Sequence, residues 1–499
     1  MMKLSIKIPV NQQIGTGFPL LVEAQDDNGR TAVDYAGKVK FLLSQDLYAD
    51  PSELSFTDDL PWLKVSIASW VNDSADYYEF YPVQRGRSWI GAFDQATETY
   101  KITVSEAGTY VILAIDEQGV CGRSNPFVVR DGTASPGLYF GDIHGHCGEH
   151  TCGIGTIDHY YLYAKHTAGL DFCALSDHDA FNEVHQQNLL SIWDKIKAAA
   201  EYWNRPGEFV TFLGYEWSSN SKLGGEGHKN VYFPGGDGPM FAADSAESFT
   251  LEKLCSCLKD TECLIIPHHP AAPEYWATNW NHHDPDRQRL VEICSMWGSS
   301  EIPDSPEKPF PIRQGTSVGP FVPGTSVIEA LERGYHLGFI GGGDSHDCKP
   351  GESLAHVPLS ERERRRWNRI YLNGLQGVWA SELSREAIWD AMMKRRVYAT
   401  TGKRIIVEFF LNDNPMGSII SEPNDKRHLR CEVVGTAPIK EIEIVKNGRV
   451  VHSTAKDKLF WCDDAPQRQE DYYYARITQE DTNMAWASPI WIKKEREEA

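Results

Sequence analysis

The hydrophobic pattern changes character twice along the chain. Up to about residue 134 the apolar positions come in short runs, at 20–22, 39–42, 99–104 and 110–115. They alternate with polar residues or are rich in β-branched and aromatic side chains. Gly, Asp, Asn and Pro separate them, which predicts short strands. From 137 to about 403 apolar strand runs alternate with amphipathic helical stretches. From 404 onward the β pattern returns at 405–410, 429–434, 439–446 and 472–477, and Asn447-Gly448 is a hairpin turn signal. The pattern therefore predicts three domains, at 1–134, 137–403 and 404–499.

The first domain reads as an immunoglobulin-like β-sandwich, because GTYVILAIDEQG at 108–119 has the form of a late sandwich strand followed by a turn. The last reads as a second, C-terminal sandwich. In between, residues 138–140 open a strand that ends at Asp142, His144 and His146, and alternate residues of a strand share a face. Residues 157–167 fit a helix with Gly169 at its C′ position. The strand at 172–175 runs into Asp177-His178-Asp179. A helix is expected over 183–203, with Leu189, Leu190, Trp193, Ile196 and Ala200 at core spacing. The strand at 209–217 ends in Glu216, the one at 264–267 runs into His268-His269, and 337–340 leads into GGGDSHD. Helices are expected after Thr250, over 326–333 and from Ser384. The predicted class is α/β, a barrel carrying imidazoles and carboxylates at its strand ends, where parallel barrels place their chemistry.

Composition narrows the function. The 41% hydrophobic content and 15 Trp describe a packed globular chain. Asp and Glu number 70 against 49 Lys and Arg, a net charge of −21, which argues against nucleic acid or an anionic membrane as partner. A small anionic substrate stays compatible, because bound cations reverse the local field. No apolar run reaches transmembrane length, the start MMKLSIKIPVNQQ lacks a signal-peptide core, and 11 scattered Cys read as reduced thiols. A cytoplasmic location follows as the expectation. A homo-oligomer is left open.

The 17 His are uneven: none precedes His144, and 14 lie between His144 and His346. With the strand-end carboxylates, the candidate ligands are His144, His146, His178, Glu216, His228, His269, Asp344 and His346. Mixed imidazole and carboxylate donors suit Zn²⁺, Mn²⁺ or Fe²⁺ better than Ca²⁺. Eight exceed the needs of one tetrahedral ion, so two or three divalent metal ions are implied. Such ions activate water near neutral pH and steady an anionic group, which predicts a metal-dependent hydrolase and fits phosphoester cleavage. Asp177 and Asp179 are expected beside His178 as orienting or catalytic carboxylates. Trp217 is a candidate substrate wall, and Arg396 and Arg404 are candidate phosphate binders.

The segments GDIHGH, LSDHD, GYEW, GHKNVYF, PHHP and GGDSH resemble the successive motifs of the polymerase-and-histidinol-phosphatase (PHP) superfamily. The wider pattern, including RRVYATTG, resembles the bacterial DUF3604-like group. The resemblance implies a distorted (β/α)7 TIM-like barrel with a trinuclear metal centre. By motif, His144, His146, Glu216 and Asp344 would hold one ion, His178 and His346 a second, and His228 and His269 would join Glu216 around a third. His269 is preferred over His268 because the motif places its ligand directly before Pro. One departure stands out. Relatives carry a Ser-Asp-Gly or a further His after HxH, whereas this chain has CGEHTCG, so His150 or Cys152 would fill the second-ion position. The alternatives are a hydrolase of amide, lactone or sulfate ester bonds at the same site, and a non-catalytic glycan- or partner-binding protein.

Overall fold

In the first region, strand Gly37–Ser44 pairs antiparallel with Gly108–Asp116, which pairs with Phe127–Arg130. Alternate residues Val39, Phe41, Tyr110, Ile112, Ala114 and Phe127 turn inward and meet Leu4, Ile6 and Phe18 in one core. The predicted run at 99–104 contributes a two-residue strand, Lys101–Ile102, against Phe18–Pro19. The structure, a computed structural model, describes residues 2–27, 29, 32, 35–57, 62–65, 101–132, 136–149, 153–179, 189–219, 225–272, 276–302, 322–353, 373–422, 426–465 and 468–494.

The central region contains β1 (Gly137–Asp142), α1 (Ile157–His166), β2 (Phe172–Leu175), α2 (Trp193–Trp203), β3 (Val210–Trp217), β4 (Lys229–Phe233), α3 (Leu251–Cys257), β5 (Leu264–Pro267), β6 (Leu290–Ser295), α4 (Val327–Glu332), β7 (Gly338–Gly341), β8 (Leu375–Ala380), α5 (Arg385–Met393) and β9 (Val397–Thr400). Four of the five described helices start where side-chain caps are available; α2 follows Ile192, which offers none. The hydroxyls of Thr156, Thr250, Ser326 and Ser384 each accept an amide of the first turn, and Ser326 forms a capping box with Glu329. Gly169 follows α1 with φ 62°, in the left-handed region that closes a helix. The long helix expected over 183–203 is shorter: a 3-10 turn at Leu189–Ile192 precedes α2, and 183–188 lie outside the described residues. Trp193, Ile196 and Ala200 are buried as expected, but Leu190 is 59% exposed, because the turn breaks the helical period before α2.

The whole is a strand-rich mixed α/β architecture of several sheets and few helices. The order of the central sheet is β5-β4-β3-β2-β1-β8-β9. Only β1–β2 and β2–β3 pair in parallel; β3–β4, β4–β5, β1–β8 and β8–β9 are antiparallel. This differs from a repeating strand–helix barrel, and the reason is local. No described helix separates β3 from β4, so the chain returns antiparallel, as a connection without a crossover allows. Strands β6 and β7 pair with each other in parallel as a separate sheet. Among the described residues the ladders stay open.

Strands β1 to β3 are buried on both faces, as covered parallel strands are. One face carries Leu138, Phe140, Cys173, Leu175, Leu213 and Tyr215 against α1 and α2. The other carries Phe172, Ala174, Val210 and Phe212 against Ile388 and Trp389 of α5. Near 404 the sheet does not break, since β9 pairs with Met484–Ala487, which continues to Glu470–Gln479 and Ile439–Lys446. The Asn447-Gly448 turn has φ of 48° and 76°, the pair of positive angles a type I′ hairpin needs.

Candidate metal centre

The sheet gathers its chemistry at one set of strand ends. Just past β1, the Gly145 bridge to Ser345 ties the His144–His146 segment to the Asp344–His346 segment that follows β7. Past β2, His178 bridges to Glu216 near the end of β3. His228 immediately precedes β4, and His268 and His269 follow β5. Asp344 and His269 adopt φ of 50° and 34°, strained values for non-glycine residues that surrounding contacts must hold.

Glu216 lies at the middle. Its Oε1 is 2.6 Å from His228 Nδ1, 3.2 Å from His178 Nδ1 and 3.3 Å from His268 Nε2. Its Oε2 is 3.3 Å from His146 Nε2 and 3.4 Å from His144 Nε2. Asp344 Oδ1 is 3.2 Å from His146 Nε2, 3.6 Å from His144 Nε2 and 3.7 Å from His346 Nδ1. His269 Nε2 stands 4.0 Å from Asp344 Oδ2. All eight expected ligands therefore converge. His268 joins them, its ring 4.2 Å from those of His144 and His269, so the pair before Pro270 enters the cluster whole.

Overlapping sets of ligand atoms, each within 4.8 Å of one another, can hold metal ions: His144 with His146, Glu216 and Asp344; His146 with His178 and His346; His178 with Glu216 and His228; His228 with His268 and His269; and His144 with His268 and Glu292. The donor set fits divalent ions on a second ground. Both ring nitrogens of His268, Nδ1 of His269 and Nε2 of His228 are buried without a hydrogen bond, a costly arrangement unless a cation takes them.

Burial penalises Glu216's charge, yet the His178, His268 and His228 rings hold its carboxyl well below the usual range. Burial likewise opposes ionisation of Asp344, and His144, His146 and His346 outweigh it, so its carboxyl also lies well below the usual range. Burial pushes His146 and His269 down to about 4, keeping them neutral and ligand-competent at neutral pH. His144 is the exception: burial lowers it, but the Glu292 and Asp344 carboxylates carry it well above the ordinary imidazole value.

Asp177 and Asp179 adjoin His178 but grip the main chain. Asp177 accepts from the Cys147 amide at 2.9 Å, and Asp179 from the Ser218 amide at 3.1 Å and the Ala243 amide. Asp177 Oδ1 is 3.8 Å from His146 Nδ1, too far for a hydrogen bond. Ser218 Oγ, 2.8 Å from His178 Nδ1, is the closer orienter of His178. His150 and Cys152 lie outside the described residues.

The expected substrate binders are placed elsewhere. Trp217 follows Glu216 on one strand, so it faces the other way, into the core, and donates to Ser248 O. Arg396 donates to Pro415 O and Ser418 Oγ, and Arg404 to Ile8 O, Ala168 O and Gly169 O. These guanidiniums satisfy main-chain carbonyls between elements.

Sequence reasoning missed two contributors, Trp297 and Glu292, and gave Asp142 no role. Trp297 Nε1 donates to Asp344 Oδ2 at 2.6 Å. Asp142 accepts from the amides of His144, Gly343 and Gly351 and from Asn373 Nδ2, clamping the two ligand segments together. Glu292, within β6, places Oε2 at hydrogen-bond distance, 2.9 Å, from His144 Nδ1. A lone carboxylate in the apolar run LVEICS was its signal.

A family model described as "Protein of unknown function (DUF3604)" matches residues 161–274 and 329–429. An uncharacterised protein of Chlamydia pneumoniae is 30% identical over 380 residues, which is 72% of this chain and 58% of that protein. One from Chlamydia trachomatis is 30% identical over 376 residues, 71% of this chain and 57% of its own length. The chain thus spans somewhat over half the length of these curated relatives. A solved two-domain protein from Bacteroides vulgatus, described as containing a predicted PHP-like metal-dependent phosphoesterase, is 14% identical with a TM-score of 0.34, covering 72% of this chain and 98% of that one.

Proposed function

We propose that the chain is a metal-dependent hydrolase, and that it acts as a phosphoesterase on a small phosphorylated molecule. The observation that carries this reading is the meeting of five imidazoles on the two oxygens of Glu216, each 3.4 Å away or less. Side chains so far apart in sequence converge in a buried pocket only at a structural cost that a bound cation offsets. His144, His146, Glu216 and Asp344 would hold one ion, His178 and His346 another, and Glu216 with His228 and His269 or His268 a third. Two or three ions of Zn²⁺, Mn²⁺ or Fe²⁺ fit these donors. When bound, they would supply Lewis-acid polarisation and a nucleophile from water near neutral pH.

The protein's own groups do the positioning. Ser218 fixes the His178 ring, Trp297 holds Asp344, and Asp142 joins the segments that carry His144 and Asp344. With Arg396 and Arg404 engaged elsewhere, neither is placed to grip a phosphate. That favours keeping a second reading in the test: cleavage of an amide, lactone or sulfate ester at the same centre. The full chain, loaded in turn with Zn²⁺, Mn²⁺ and Fe²⁺, is to be assayed on phosphomonoesters, phosphodiesters, sulfate esters, lactones and amides. Turnover of phosphoesters supports the first reading, and turnover confined to another bond replaces it. Full activity after exhaustive chelation would end both.

A further inference from the structure

Glu292 belongs to no ligand set expected from the sequence, yet it is packed into the buried histidine cluster. It lies in the middle of β6 and is 1% exposed. Its Oε2 is 2.9 Å from His144 Nδ1, while the other nitrogen of that ring faces Glu216 and Asp344. Its Oε1 is buried and makes no hydrogen bond. His268 has ligand atoms within 4.8 Å of both Glu292 and His144, and neither of its ring nitrogens is hydrogen bonded. The opposite wall is cut back to make room. A Cβ on Gly342 would lie 1.9 Å from Glu292 Oε2 and 3.0 Å from His144 Cβ. The register of β6 against β7 also shifts just past Glu292.

An imidazole offers a metal one nitrogen, and which one is set by the partner of the other. We infer that Glu292 is a positioning residue of the metal centre: it accepts the Nδ1 proton of His144, fixes that tautomer and directs Nε2 at the ion. A carboxylate behind a ligating imidazole also raises the basicity of the nitrogen that binds. In this role Glu292 acts through His144, not as a ligand, although its carboxylate also belongs to a set of atoms close enough to hold an ion. The inference rests on the metal centre proposed above.

The test uses the full chain stripped by chelator, then titrated with Zn²⁺ and with Mn²⁺ against a competing chromophoric chelator. Glu292→Gln preserves shape and volume beside Gly342, so a space-filling role would leave affinity unchanged. The expected result is affinity weakened by roughly 10- to 100-fold, the usual cost of removing such a partner, with thermal stability of the stripped protein equal to wild type or higher. Wild-type affinity in Glu292→Gln overturns the inference. Should that variant not fold, proton–nitrogen NMR of the wild-type zinc form decides. His144 protonated at Nδ1 and bound through Nε2 supports the role, and the reverse tautomer overturns it. A wild-type chain that binds neither ion overturns the metal centre itself, an outcome distinct from a Gln variant that binds as well as wild type.

Discussion

Glu216 Oε1 and His228 Nδ1 stand 2.6 Å apart, the shortest of the contacts that Glu216 makes within the histidine cluster. Because His178 and His268 approach the same oxygen, Glu216 is the residue whose charge the cluster depends on most. Glu216→Gln keeps the shape and removes the charge. It is expected to lower the metal content of the purified protein and to reduce turnover by about 100-fold or more. Elemental analysis beside a rate measurement checks both, and unchanged metal content would exclude Glu216 as the bridging ligand.

Gly342 gives a second prediction. An added methyl would fall 1.9 Å from Glu292 Oε2, so Gly342→Ala must displace either the carboxylate or the strand end. A destabilisation of about 1–3 kcal/mol is expected, as for overpacking in a tight interior, together with weaker metal binding. Chemical denaturation of the chelated protein separates the two effects. A variant as stable as wild type would show that this wall yields.

Asp142 is the third. Its carboxylate takes four donors, from His144, Gly343, Gly351 and Asn373. Asp142→Ala leaves them buried without an acceptor, and a loss on the order of 3 kcal/mol or more is expected. Denaturation of the chelated protein measures it. A loss no larger than that of an ordinary surface substitution would rule out the clamp.

These outcomes bear on what the sequence makes legible. The cap residue Thr250 and the strand-end ligands announce themselves, because caps and metal ligands demand particular side chains at particular offsets. The antiparallel return of β4 was not legible, since GHKNVYF reads as turn or strand with equal ease and pairing direction is set by what lies between strands. Trp217 lies in the core because neighbours on a strand face opposite ways, so the residue after Glu216 turns away from the site. Arg396 and Arg404 show the weakness of reading charge as ligand binding, because a guanidinium satisfies stranded carbonyls equally well. Glu292 was legible only in hindsight, as a carboxylate in an apolar strand that had to have a partner.

Arg404 also bears on pH. Asp171 accepts from the Phe140 amide at 2.7 Å, and burial pushes its carboxyl up to about 6 although Arg404 and that amide oppose the shift. The unfolded value is about 3.9. A folded value above the unfolded one means the folded state holds the proton more tightly. The associated stability is therefore fully present below about pH 3.9 and is lost as pH rises through about 6. Asp171→Asn should remove this component, so the variant gains on wild type, by on the order of 1–3 kcal/mol, between pH 4 and pH 7.5. Urea midpoints at the two pH values check it, and an identical wild-type-minus-variant difference at both would contradict it.

The most direct test is anomalous X-ray scattering from crystals of the full chain grown with Zn²⁺ or Mn²⁺. Two or three peaks are expected at the histidine cluster, within about 2.0–2.3 Å of nitrogen and oxygen atoms of His144, His146, His178, Glu216, His228, Asp344, His346 and either His269 or His268, with Glu216 shared between ions. A pocket without a peak, in crystals of protein that still turns over substrate, would contradict the account.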